Sequence, residues 1–169
     1  FNSVYGETLV VPEMVLPENV TCCRLPGTDG KAKMSKSLGN CIYLSDTSKE
    51  IKKKVNSMFT DPEHLQITDP GHVEGNVVFT YLDAFSNDEH FAKYLPEYAN
   101  LDEMKDHYRR GGLGDGTCKK FLFNIMEEFL QPMRERRKQY EQNIPQVYEI
   151  LRKGSEAARA EAAKTLAEV

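Results

Sequence analysis

No apolar run in the 169-residue chain approaches the ~18 residues that mark a membrane span. None of the cysteines Cys22, Cys23, Cys41 and Cys118 is paired at C-x-x-C spacing, so no structural zinc site is expected. Reduced thiols in a cytoplasmic protein are the expectation instead. Net charge is -4, which removes any global basic signal for nucleic acid. RNA contact would need a local patch. There is no internal repeat. The opening Phe1-Asn2-Ser3-Val4-Tyr5 has neither an initiator Met nor the basic-then-apolar pattern of a signal peptide. The chain therefore reads as a fragment or a processed product.

Hydrophobic residues make up 40% and charged residues 28%, enough for a packed core. The length suits one domain, or one domain with a remnant of another. Residues 1–46 are rich in Val, Pro and Gly. Val20 to Leu25 predicts a strand closed by Pro26-Gly27, and Cys41 to Leu44 a shorter one. Between them, residues 27–40 are small, polar and cationic with glycine at both ends, as in a loop. Beyond Asp46 the pattern is helical. Helices are predicted from Thr47 or Ser48 to about Phe59, and over about 76–85, 88–95 and 101–110, with Gly111-Gly112 ending the last. A long helix starts near Asp115, with Cys118, Phe121, Leu122, Ile125, Phe129 and Met133 as its buried stripe and Pro132 kinking or ending it. Separate helices are predicted over about 144–152 and over the alanine-rich 155–169.

The chemistry sits in Lys33-Met34-Ser35-Lys36-Ser37. Two lysines three residues apart in a glycine-flanked loop bring two ammonium groups together. Two serines add neutral donors, and backbone N–H groups can turn toward an anion. The set suits a polyphosphate whose charge grows during reaction. A solvated basic loop or a phosphorylation site is the bland alternative. Chance appearance of this pentapeptide in a chain of this length is on the order of one in ten thousand, which weighs against it.

The pentapeptide, extended by Leu38-Gly39-Asn40, resembles the signature loop of class I aminoacyl-tRNA synthetases. Phe1-Asn2-x-x-Tyr5-Gly6, Lys53-Lys54-Val55 with Thr60-Asp61-Pro62, Gly112-x-Gly114-Asp115-x-x-Cys118-Lys119-Lys120 and Phe129-Leu130-x-Pro132-Met133-Arg134-Glu135-Arg136-Arg137 are similar, in order and spacing, to the tryptophanyl-tRNA synthetase family. The resemblance implies a mostly α fold: a helical anticodon-binding bundle over 47–169, preceded by a short β/loop remnant of a Rossmann-type catalytic domain over 1–46. It implies an aminoacyl-tRNA ligase that, at full length, activates tryptophan with ATP and Mg2+ and transfers it to tRNA(Trp). Lys33 and Lys36 would stabilise the departing pyrophosphate, with Met34, Ser35 and Ser37 completing the ATP loop. It also implies a homodimer built mainly through the catalytic half.

Two departures from the family pattern stand out. Some members hold an iron–sulfur cluster at C-x22-C-x6-C-x2-C. Here Phe85, Tyr108 and Asp115 precede Cys118, so no cluster is expected. None of His64, His72, His90 and His107 has the His-x-Gly-His spacing that grips ATP from the other side, so the fragment alone should be inactive.

For tRNA the candidates are Lys119, Lys120, Arg134, Arg136 and Arg137, with Lys138 beside them and Lys49, Lys52, Lys53 and Lys54 as a second cluster. Tyr94, Tyr98, Tyr108 and Tyr140 are candidate stacking platforms. Solvated helix faces and core tyrosines are the competing readings. A tyrosyl or other class I enzyme, or a helical interaction module with no nucleotide role, stays open as an alternative.

Overall fold

The computed structural model describes residues 1–19 and 24–168. Among them are seven helices: α1 Asn2–Tyr5, α2 Ser48–Asn56, α3 Val77–Phe85, α4 Asp88–Tyr94, α5 Leu101–Arg110, α6 Asp115–Glu141 and α7 Ile144–Ala167. The mostly α fold is as expected. The chain forms two compact units, one of residues 16–134 and one of residues 1–15 with 135–169.

Local chemistry starts the helices of the larger unit. Thr47 and Glu50 form a reciprocal capping box on α2. Asn76, Asn87 and Asn100 each accept a backbone N–H at the start of α3, α4 and α5. Gly111 ends α5 with φ 82°, where a side chain would collide with the Thr68 carbonyl. The core takes Ile51 and Val55 from α2, and Val77, Val78, Phe79, Tyr81 and Leu82 from α3. Phe91, Met104 and Tyr108 join them from α4 and α5. Each such burial contributes roughly 1.5–3 kcal/mol before the entropy of ordering.

α6 adds Cys118, Phe121, Leu122, Ile125, Met126 and Leu130. Phe129, expected in that stripe, is 47% exposed, and Leu130 occupies the inner position. The Phe129 ring lies over Phe85 at 5.6 Å instead. Pro132 does not end the helix. Arg134 pairs with Glu127, bracketing the proline turn. In the smaller unit, the two helices expected beyond residue 144 are one, running through Gly154. Glycine costs about 1 kcal/mol against alanine in a helix. The Arg152–Glu156 ion pair spans that position, and the alanines beyond propagate the helix.

The strand expected at Cys41–Leu44 is absent. The Asp46 carboxylate takes the Tyr43 N–H at 2.8 Å, and the Asp46 N–H donates to the Tyr43 carbonyl at 3.0 Å. A turn thus uses the groups a ladder would need. Of the expected strand from Val20, residues 20–23 lie outside the described residues. Among the described residues the β pairing is a single bridge, Pro26 with Lys33.

Candidate functional site

The lysine-serine loop is built on the helical unit and pinned from within. At its base, the Tyr81 hydroxyl of α3 donates to the Pro26 carbonyl at 2.8 Å. The Phe59 N–H donates to the Thr28 carbonyl at 2.9 Å. Gly27 N–H to Ala32 carbonyl (2.7 Å) and Met34 N–H to Leu25 carbonyl (3.2 Å) close a hairpin-like connection. Its tip turns at Gly30, with φ 68°.

Asn40 fastens the far side and is 4% exposed. Its Oδ1 accepts the Ser35 N–H at 2.8 Å. Its Nδ2 donates to Asp29 Oδ1 at 3.1 Å and to the Lys33 carbonyl at 3.4 Å. Its own carbonyl accepts from Thr28 N–H at 2.9 Å. Gly27 leaves the room for this amide, since a Cβ there would overlap the Asn40 side chain. The Asn40 hydrogen bond holds the Asp29 carboxyl below its ordinary value, against an opposing effect of burial.

Met34 packs against the helical core. Lys33, Lys36 and Ser37 face outward. Ser35 and Ser37 join their hydroxyls at 2.9 Å. Neither Lys33 nor Lys36 forms an ion pair among the described residues. The two predicted cations are thus brought to one exposed loop. Lys33 also borders a concavity of about 250 Å3 shared with Arg24 and Lys31, neither of which the sequence reading singled out. That reading also missed the pinning pair Asp29–Asn40. The turn dipeptides Asp29-Gly30 and Gly39-Asn40 are its only trace in sequence.

The candidate tRNA residues divide by their partners. The Lys119 ammonium donates to the Asn56 carbonyl at the end of α2, at 3.1 Å. Arg134 is half-buried against Glu127. Arg137 pairs with Glu141 at 2.7 Å. Lys120 and Arg136 are exposed. In the second cluster, Lys54 pairs with the buried Asp46 and lies over the Tyr43 ring at 4.5 Å. Among the tyrosines, Tyr108 is fully buried, so it offers no face for stacking. Tyr98 meets His107 Nδ1 at 2.7 Å, and Tyr94 donates to Glu128 at 2.6 Å. Tyr140 is exposed.

The four positions at C-x22-C-x6-C-x2-C spacing hold Phe85, Tyr108, Asp115 and Cys118. Tyr108 donates to Asp115 at 2.8 Å. Phe85 packs on Tyr81 and Phe129. Burial, then the Asp115 charge, pushes the Cys118 thiol up to about 12. No group of three or more His, Cys, Asp or Glu able to hold a metal occurs among the described residues. Among the described residues no helix is long and apolar enough to cross a membrane.

Comparison with known proteins places this geometry in context. Residues 4–131 match the model of the family described as tRNA synthetases class I (W and Y). The chain is 57% identical over its whole length to a tryptophan–tRNA ligase of Clostridium longisporum, covering 47% of that protein. It is 51% identical to one of Streptococcus pyogenes serotype M1, covering 48%. The chain thus spans about half the length of these relatives. Among solved structures, it is similar to the tryptophanyl-tRNA synthetase of Campylobacter jejuni crystallised with ADP and tryptophan. The TM-score is 0.70 at 28% identity, over 99% of this chain and 48% of that one. The Giardia lamblia enzyme matches with a TM-score of 0.56 at 30% identity, over 68% of this chain and 28% of that one.

Proposed function

Because the chain belongs to the class I tRNA synthetases of the W and Y family, we propose that it is the loop-bearing and tRNA-binding part of a tryptophan-activating ligase. In this reading the whole protein is a cytoplasmic homodimer. It joins tryptophan to ATP as an aminoacyl-adenylate, then transfers the aminoacyl group to tRNA(Trp). Residues 1–46 end its catalytic domain, and residues 47–169 bind the anticodon arm.

The observation that carries the reading is the pair of outward-facing ammonium groups, Lys33 and Lys36, on a loop whose backbone is hydrogen-bonded from both sides. Adenylate formation breaks the bond between the α- and β-phosphates as the amino-acid carboxylate attacks. Negative charge then gathers on the departing pyrophosphate. Cations unclaimed by carboxylates can follow that charge, and a contact stronger in the transition state than before it accelerates the step. Ser35 and Ser37 supply neutral donors beside them. Mg2+ enters with the ATP phosphates as part of the substrate.

The preference for tryptophan over tyrosine rests on the relatives named tryptophan–tRNA ligase. For the tRNA, the exposed Lys120 and Arg136 are the strongest candidates for phosphate contact. Arg137, Lys119 and Arg134 divide their charge with protein partners.

The test is amino-acid-dependent ATP–pyrophosphate exchange in the full-length protein. Tryptophan, and not tyrosine, should drive it. Lys36→Ala should cut the rate by about 10²–10³, the cost of removing one oxyanion-type contact, with tryptophan binding unchanged. An exchange rate equal to that of the parent would end the assignment.

A further inference from the structure

We propose that Asn40 is a positioning residue, whose amide holds the backbone of the lysine-serine loop in the trace that presents Lys33 and Lys36. The inference rests on the loop's role in phosphate binding proposed above.

Both ends of the amide are committed. Oδ1 receives the Ser35 N–H at the middle of the pentapeptide. The two hydrogens of Nδ2 go to the Asp29 carboxylate and the Lys33 carbonyl. An ionised carboxylate only accepts, and a backbone N–H only donates. A flipped amide would therefore set oxygen against Asp29 and nitrogen against the Ser35 N–H. Asp29 thus selects the orientation that Ser35 needs. The site is also sterically reserved, because Gly27 lacks the Cβ that would overlap the amide.

The lysine side chains have no ion-pair partner among the described residues to fix them. Where their ammonium groups stand is therefore set by the backbone that carries them. Four hydrogen bonds define that backbone: Met34 N–H to Leu25, Asn40 Nδ2 to the Lys33 carbonyl, Ser35 N–H to Asn40 Oδ1 and Gly39 N–H to Lys36. The middle two come from one side chain, so a substitution can remove them without touching the lysines. Misplacement of catalytic groups by about 1 Å costs on the order of 10²-fold in rate.

Full-length Asn40→Ala should therefore lose at least tenfold in kcat for pyrophosphate exchange, with the KM values for ATP and amino acid changed less than threefold. Asn40→Asp keeps the shape but loses both donors and sets a second carboxylate against Asp29. It should be at least as impaired. Adding Asp29→Asn to Asn40→Asp rebuilds an amide–carboxylate pair and should recover tenfold or more of the rate. Thermal melts accompany each variant, and Asn40→Asp with its rescue decides the matter should Asn40→Ala not fold.

A kcat within twofold of the parent for Asn40→Ala overturns the positioning role. So does an impaired Asn40→Asp that Asp29→Asn leaves unrescued. The phosphate reading fails separately, by Lys36→Ala retaining the parental exchange rate whatever the Asn40 variants do.

Discussion

The Tyr108 hydroxyl donates to the Asp115 carboxylate at 2.8 Å, tying the last turn of α5 to the first residue of α6. The same oxygen accepts from Asn76 Nδ2 at 3.3 Å, and the ring packs on His64 at 4.6 Å and Phe79 at 4.9 Å. Three segments of the larger unit converge on one phenol. Tyr108→Phe keeps the packing but leaves Asn76 and Asp115 without that partner. It should cost about 1.5–3 kcal/mol, the range for a hydrogen bond to a charged group. Urea denaturation of variant and parent measures it, and a difference below about 0.5 kcal/mol contradicts the account.

Arg134 and Arg136 should separate stability from RNA binding. Arg134 is half-buried against Glu127, so Arg134→Ala should lower the melting temperature by leaving a carboxylate poorly paired. Arg136→Ala should leave melting unchanged and weaken tRNA binding. It should also flatten the plot of log affinity against log salt by about 0.7–0.9, the loss of one phosphate contact. Filter binding across a salt series reads both quantities. An unchanged slope for Arg136→Ala removes it from the interface.

His72 gives the protein a pH-sensitive contact. Its Nδ1 lies 2.8 Å from Asp61 Oδ2. That hydrogen bond first, then the charge of Asp61, raises the His72 pKa above its ordinary 6.5. A raised folded-state value means that the contribution is fully present below the unfolded pKa and is lost as pH rises through the folded one. His72→Gln should therefore lower the melting temperature most near about pH 6, and the gap should close toward about pH 9. An NMR titration of His72 with its midpoint below 6.5 would contradict an upward shift.

Gly154 lies within α7, and a Cβ built there meets nothing within 4 Å. Gly154→Ala should stabilise the helix by roughly 0.5–1 kcal/mol through lower unfolded-state entropy. Circular dichroism at rising temperature would register the gain, and a loss would mean that glycine is needed there.

What could be read beforehand follows the range of each interaction. Asn76, Asn87 and Asn100 act within three residues, so the starts of α3 to α5 were legible. That Lys33 and Lys36 share one exposed loop was legible because they stand three residues apart between glycines. The Asp29–Asn40 pin spans eleven positions and depends on the empty Cβ site at Gly27, which no periodicity records. The Cys41–Leu44 strand failed for a related reason. Its apolar pattern fits a ladder, but a single carboxylate, Asp46, closes a turn over it. Phe129 and Leu130 are neighbours on the α6 stripe, and only the packed partners decide which one turns inward.

The thiol of Cys118 offers a built-in clock. It is 1% exposed, and that burial pushes its pKa up to about 12, so it stays protonated at neutral pH. A thiol so buried meets an alkylating reagent only when the packing around it opens. Peptide-level mass spectrometry of its labelling would time the breathing of this core without adding any probe, and ligands that quiet the motion would announce themselves as slower capture.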